Sequence, residues 1–196
     1  MIDLPAQLLD DRTAAIWQVG TRIVIKRPVF VLCLAGFLRI ATPAESATDP
    51  WKSLQFLMGT WEAHTQGGSA GAAGVGTYTF QPELRNHILA RHSSGGKCKG
   101  PADFDCEHAD LLYVYREAPG QSYKAIYFDN EGHVIHYDVS VPTPATAILL
   151  SEPSGPGPQF RLVYELKGAT MYGRFQVRAP GQTEFQSYLE WSGEKK

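Results

Sequence analysis

The chain has little charge of either sign, little cysteine and no long apolar run. Charged residues fill 19% of its 196 positions, and 18 basic residues against 20 acidic ones leave a net charge of -2. No basic surplus is available to neutralise a phosphate backbone, so a charge-driven nucleic-acid partner is excluded. Three cysteines are too few for a dense disulfide scaffold. The apolar run Pro28 to Leu38 is about half of the ~20 residues a membrane-spanning helix needs, and Arg39 closes it. After Gly59 no segment carries a long helical period, which disfavours a helix bundle and a coiled coil. Catalytic motifs are also missing: there is no Gly-x-Ser-x-Gly and no His-Glu-x-x-His. The Gly-rich segment Gly67 to Gly74 lacks the Lys and Ser/Thr of a phosphate loop and opens no helix, so it reads as a flexible hairpin at a barrel mouth.

What is present points to sheet. Hydrophobic residues make up 43%, enough for a packed core, and 19 Gly and 13 Pro supply turns between segments rich in Tyr and Phe. Two regions differ in layout, 1–47 and 48–196. In the first, Lys26-Arg27 precede the apolar run, and the small residues Ala41 to Ala47 follow it. Basic, apolar, then small is the order of a secretory signal peptide, with cleavage expected near residues 44–47, after Ala44 or Ser46. Cys33 follows Leu32 rather than a small residue and is not read as a lipid-attachment site. Residues 1–23 lie upstream of the usual start of such a peptide, and Val24 is the expected initiator. The mature chain is then expected in the periplasm or medium, not integral to a membrane.

From Pro50 onward short segments alternate apolar and polar residues. Phe160-Leu162-Tyr164-Leu166, Met171-Gly173-Phe175-Val177 and Phe185-Ser187-Leu189-Trp191 each interleave with polar or charged neighbours. Similar strands are expected at Thr60–Gln66, Gly74–Gln81, Asn86–Ser93, Asp110–Arg116, Ser122–Asp129, Val134–Val141 and Ala145–Glu152. Tight turns separate them at Ala118-Pro119-Gly120-Gln121, Asp129-Asn130-Glu131-Gly132 and Ala179-Pro180-Gly181-Gln182. About ten sequential strands with short turns predict an all-β fold, an up-and-down antiparallel barrel that removes its own edges by closing. A tail at Gly193 to Lys196 argues against an outer-membrane barrel, whose last strand runs to the chain end. A barrel this wide is either plugged by side chains or holds one small ligand.

The stretch Trp51-Lys52-Ser53-Leu54-Gln55-Phe56-Leu57-Met58-Gly59-Thr60-Trp61-Glu62 reads as a short lid helix, a terminating Gly and a Trp opening the first strand. It resembles the Gly-x-Trp opening of the calycin superfamily, which includes the lipocalins and fatty-acid-binding proteins. With Gly76-Thr77-Tyr78-Thr79-Phe80 and the hairpin Tyr127 to Ile135, it is similar to bacterial lipocalin-like domains of unknown function and, more distantly, to nitrobindin-type haem barrels. The resemblance spans 50–193. It implies that Trp61 closes one end of the barrel beneath a late basic residue, for which Arg174 and Arg178 are the candidates. It also implies haem ligation by a late His, yet the last His is His136. Tyr164, Tyr172 and Tyr188 could ligate iron in principle, but no cofactor and no metal is expected.

Glu62, His64, Tyr78, His87 and Arg91 are the candidate lumen residues, polar groups within an otherwise apolar barrel. The competing reading places them on wetted outer faces. Alternation from Trp61 already sets Glu62 and His64 on the opposite face from that Trp. Cys98 and Cys106 flank a short polar loop, and in an exported protein they are expected to form a disulfide. A metal site with His108 is the rival. The leading expectation is a barrel that binds a small, largely apolar molecule without catalysis. The second is an isomerase, cyclase or lyase using Glu62 or His64 as acid or base near Tyr78 or Arg91. The third is a plugged barrel whose outer surface acts.

Overall fold

The computed structural model describes residues 49–102, 104–153 and 155–196. The signal-peptide reading, the Val24 start and Cys33 therefore lie outside the described residues. Alternation produces the strands: β1 Gly59–Gly67, β2 Ala73–Glu83, β3 Ile88–Lys99, β4 Ala109–Tyr115, β5 Tyr123–Asp129, β6 Val134–Thr143, β7 Thr146–Ser151, β8 Gln159–Lys167, β9 Thr170–Arg178 and β10 Gln186–Lys195. Each pairs antiparallel with its sequence neighbour, and β1 pairs with β10, so the ten strands close into one up-and-down barrel. No open sheet edge remains to template aggregation. Before β1, Lys52–Leu57 form a single short 3₁₀ helix. Among the described residues no helix is long and apolar enough to cross a membrane.

Two boundaries differ from expectation by more than two residues. β3 runs past Ser93 to Lys99, because β2 supplies partners for its polar, Gly-rich end: Thr77 faces Ser94 and Gly76 faces Gly95. The Gly193 to Lys196 segment, read as a tail, instead belongs largely to β10, whose Lys195 faces Trp61 of β1. Both extensions come from ladder pairing rather than from side-chain propensity.

The inward face carries the core. Trp61, Tyr78, Phe80, Leu89, Leu112, Val114, Ala125, Tyr137, Leu149, Leu162, Tyr164 and Met171 are all buried. The 3₁₀ helix caps one end with Trp51, Leu54 and Leu57, each almost fully buried. Trp61 Nε1 donates to the Leu57 carbonyl at 2.8 Å, and Trp51 Nε1 donates to the Asn86 carbonyl at 3.2 Å, so two indoles tie the cap to the barrel. At the same end Leu84, Arg85 and Asn86 make the β2–β3 turn with positive φ. At the other end the inward Tyr127, Ile135, Phe160, Phe175, Leu189 and Trp191 are only partly buried. The barrel is thus lidded at one end and more accessible at the other. The Gly67–Ala73 connection at that second end is held rather than loose: Ser69 and Ala70 donate backbone N–H bonds to the carbonyls of Ser187 and Tyr188.

Candidate functional site

Two strand neighbours place a charge inside the barrel. On β3 the inward row is Leu89, Arg91 and Ser93, and on β4 it is Asp110, Leu112 and Val114, with Ser93 opposite Asp110 in register. Arg91 and Asp110 side chains are 9% and 6% exposed, and Arg91 Nη1 donates to Asp110 Oδ1 at 2.6 Å. Ser93 Oγ donates to Asp110 Oδ2 at 2.5 Å. Burial works to raise the Asp110 pKa, but the adjoining Arg91 charge, with His108 and Ser93, holds it below the usual carboxylate range. Asp110 is thereby an anion with its oxygens occupied.

His108 links this pair to the open end. Its Nδ1 donates to Glu131 Oε1 at 2.9 Å, its Nε2 lies 3.0 Å from the Tyr127 hydroxyl, and Asp110 Oδ2 is 3.6 Å away. Asp110 first, then Glu131, favour the imidazolium against partial burial, and the His108 pKa is pushed up to about 9. Asp129, its side chain 3% exposed, accepts from His133 Nδ1 and from the backbone N–H groups of Glu131 and His133. Asp105, His108 and Glu131 place ligand atoms within 4.8 Å of one another. Both His108 nitrogens are already in hydrogen bonds, Nδ1 with Glu131 and Nε2 with Tyr127.

Around Arg91 stands a continuous group of aromatic rings. The Arg91 guanidinium carbon lies 5.3 Å from the Tyr78 ring centroid. Tyr78 is 6.1 Å from Tyr164, which is 5.9 Å from Trp191, and Phe80 meets both tyrosines edge-on. Burial raises the Tyr78 pKa to about 12 and raises that of Tyr164 further, so both stay phenols. Gly173 makes the group possible: a Cβ there would lie 2.0 Å from Trp191 Cε2, so the indole occupies the space a side chain would fill. Gly193 similarly lets the Tyr78 hydroxyl approach, 3.0 Å from where its Cβ would be.

Hydrogen-bond satisfaction sets this group apart. Among the described residues, Tyr78 OH, Tyr164 OH, Trp191 Nε1 and Arg91 Nε are buried polar atoms without a partner, and Arg116 Nε at the lidded end is a further one. Each such group costs about 1–3 kcal/mol if left unmade, and native folds rarely collect them in one place.

Of the lumen candidates read from the sequence, Tyr78 and Arg91 lie in this interior group. Glu62 and His64 lie on the outer face, 36% and 46% exposed, with Glu62 bonded to Lys196 Nζ at 2.6 Å. They cannot share a lumen with Tyr78, because Trp61 and Ala63 hold the inward positions of β1. His87 sits exposed in the β2–β3 turn, not on a strand. The cation over Trp61 is Lys195, Nζ 5.6 Å from the ring centroid, rather than Arg174 or Arg178. Residues 174 and 178 fall on the outer parity of β9, where Arg174 approaches Glu165 and Arg178 donates to Gln159. Cys98 and Cys106 are at disulfide-bonding distance, Cα atoms 5.5 Å apart, so the thiolates of the rival metal site face each other instead.

No histidine among the described residues belongs to the aromatic group, and His108 is bonded to Glu131 and Tyr127. His92 faces Glu83 on the outside, and His64, His87, His133 and His136 are also away from the aromatic group. Tyr164 is held as a phenol, and Tyr172 and Tyr188 are exposed. At the lidded end, a shallow groove of about 510 Å³ is lined by Lys52, Arg116, Tyr123, Val141 and Pro144.

The lumen candidates read from the sequence do not include Asp110, His108, Tyr164 or Trp191. The available signal was an acidic residue opening the otherwise apolar row Asp110-Leu112-Val114, one strand after Arg91 in Leu89-Arg91. Neither the family models nor the curated proteins contain a match to this sequence.

Proposed function

We propose that this protein is an exported, calycin-like barrel that takes one small, largely apolar molecule into its lumen without transforming it. The observation that carries the reading is the group of four buried polar atoms without protein partners, set among aromatic rings inside a closed barrel. One capped end and one accessible end suit uptake through a single mouth. The inward residue of β1 after Trp61 is small: Ala63 pairs with Gly76 on one side and with Gly193 on the other. Export is supported by the basic, apolar, small-residue order of Lys26 to Ala47 and by the approach of Cys98 to Cys106, a pairing suited to an oxidising compartment.

Binding is favoured over catalysis because the buried carboxylate has its oxygens engaged by Arg91 and Ser93, and Glu62 and His64 face solvent. Among the described residues, the carboxylate beside the aromatic group is paired rather than free to act as a base. The test is uptake of the neutral fluorescent probe 1-aminoanthracene. Saturable one-to-one uptake is expected, lost in Ala63→Phe and retained in the outer-face control Glu62→Gln. Uptake unaffected by Ala63→Phe, or none in the wild type, contradicts lumen binding.

A further inference from the structure

The unpartnered interior atoms are unequal in what they lack. Trp191 Nε1 and Arg91 Nε can only donate. Each phenol of Tyr78 and Tyr164 also has a proton to place, and the approach of the Trp191 indole to the Tyr78 hydroxyl, donor towards oxygen, leaves that phenol proton still unplaced. The nearby carboxylate does not serve them: Asp110 accepts from Arg91 Nη1 and Ser93 Oγ, and no bond reaches it from Tyr78, Tyr164 or Trp191. This interior is short of acceptors.

Charge narrows the class further. Arg91 and the His108 imidazolium stand with Asp110, Asp129 and Glu131 around the accessible half of the barrel. Both interior cations are already paired, Arg91 with Asp110 and His108 with Glu131. An entering carboxylate would give up its hydration and meet the Asp110 anion, with Arg91 already paired. A neutral acceptor carries no such cost.

We infer that the lumen selects ligands with an apolar, largely aromatic body and a neutral hydrogen-bond acceptor, a ketone, ester or amide carbonyl, placed against Tyr164, Trp191, Tyr78 and Arg91. The inference rests on the lumen-binding reading above and adds the chemistry of the ligand's polar end. Trp191 and Tyr164 define the position of the acceptor, because they pair with Gly173 from its two neighbouring strands and their rings meet beside it, centroids 5.9 Å apart. Two or three convergent donors on one carbonyl would satisfy the atoms the protein itself leaves unpaired.

Three probes of matched shape test this: 2-acetylnaphthalene, 2-naphthoate and 2-ethylnaphthalene, titrated by quenching of intrinsic tryptophan fluorescence. The ketone is expected to bind at least about tenfold tighter than either analogue, the difference one or two hydrogen bonds make. Tyr164→Phe and Trp191→Phe keep the rings and remove one donor each. Either should weaken the ketone about 3- to 10-fold while leaving 2-ethylnaphthalene unchanged, and an unchanged melting temperature shows that folding is intact. Equal binding of all three probes overturns the acceptor inference and leaves lumen binding standing. Tighter binding of 2-naphthoate overturns the neutrality argument. Uptake of none of them contradicts both readings.

Discussion

Replacing Asp110 by alanine removes the partner of a charge that has nowhere else to go. Arg91 is 8% exposed and keeps only one strong contact, the 2.6 Å bond to Asp110 Oδ1. Its Nε is already unpaired, and its other neighbours are the rings and hydroxyls of Tyr78 and the surrounding tyrosines. Breaking one side of a buried pair costs about 3–5 kcal/mol, mostly the penalty of the remaining ion. At roughly 2–4 °C per kcal/mol for a domain of this size, the melting temperature should fall by about 6–20 °C. The double variant Arg91→Leu with Asp110→Leu should recover most of that loss, since an apolar pair of similar volume often replaces a buried ion pair without penalty. Thermal unfolding followed by circular dichroism measures all three proteins. A second arm uses the freed charge: 2-naphthoate should raise the melting temperature of Asp110→Ala and not that of the wild type. If Asp110→Ala melts within about 1 kcal/mol of wild type, Arg91 has reached solvent, and the reasoning about an enclosed, charge-balanced interior is wrong.

Three further outcomes are expected. His108 has a pKa raised to about 9 by Asp110 and Glu131, so its contribution is complete below the unfolded value of ~6.5 and is lost as pH rises through 9. Wild type should therefore lose about 1 kcal/mol relative to His108→Gln between pH 6.5 and 10, a figure reduced because the ring is 34% exposed; equal pH profiles in denaturant melts refute it. Joining Cys98 to Cys106 closes a loop of sequence separation 8, and reduction should cost about 2–3 kcal/mol; two thiols titrating in the denatured, unreduced mature protein would show that the bond is absent. Gly173→Ala places a Cβ 2.0 Å from Trp191, so the indole must move at a cost of about 1–3 kcal/mol; an unshifted tryptophan emission spectrum and melting temperature contradict that packing.

The strands were legible because their chemistry is local. Period-two alternation in segments such as Met171-Gly173-Phe175-Val177, bounded by Pro-Gly and Asn-Glu-Gly turns, located all ten. Parity from Trp61 sets Ala63 on its face and Glu62 and His64 on the other but does not say which face turns inward, so the lumen reading of Glu62 and His64 fails. Local chemistry fails where partners come from afar. Ser94 to Lys99 has poor strand propensity and is ordered by β2, and Lys195 reaches Trp61 only because the last strand closes on the first. Arg174 and Arg178 had the right charge for that position and the wrong parity. The interior site was half legible for the same reason. Arg91 and Tyr78 stood out as polar groups in apolar rows, whereas Trp191 and Tyr164 looked like ordinary packing. Their significance lies in missing hydrogen-bond partners, which only the assembled barrel reveals.

Native mass spectrometry of the mature protein, purified without detergent from the organism that makes it, tests lumen occupancy most directly. The account predicts a one-to-one adduct of a small, neutral organic molecule that is released on denaturation and reduced in Ala63→Phe. Wild-type protein that carries no adduct and also takes up none of the naphthalene probes would contradict it, and would make the barrel interior a plugged core.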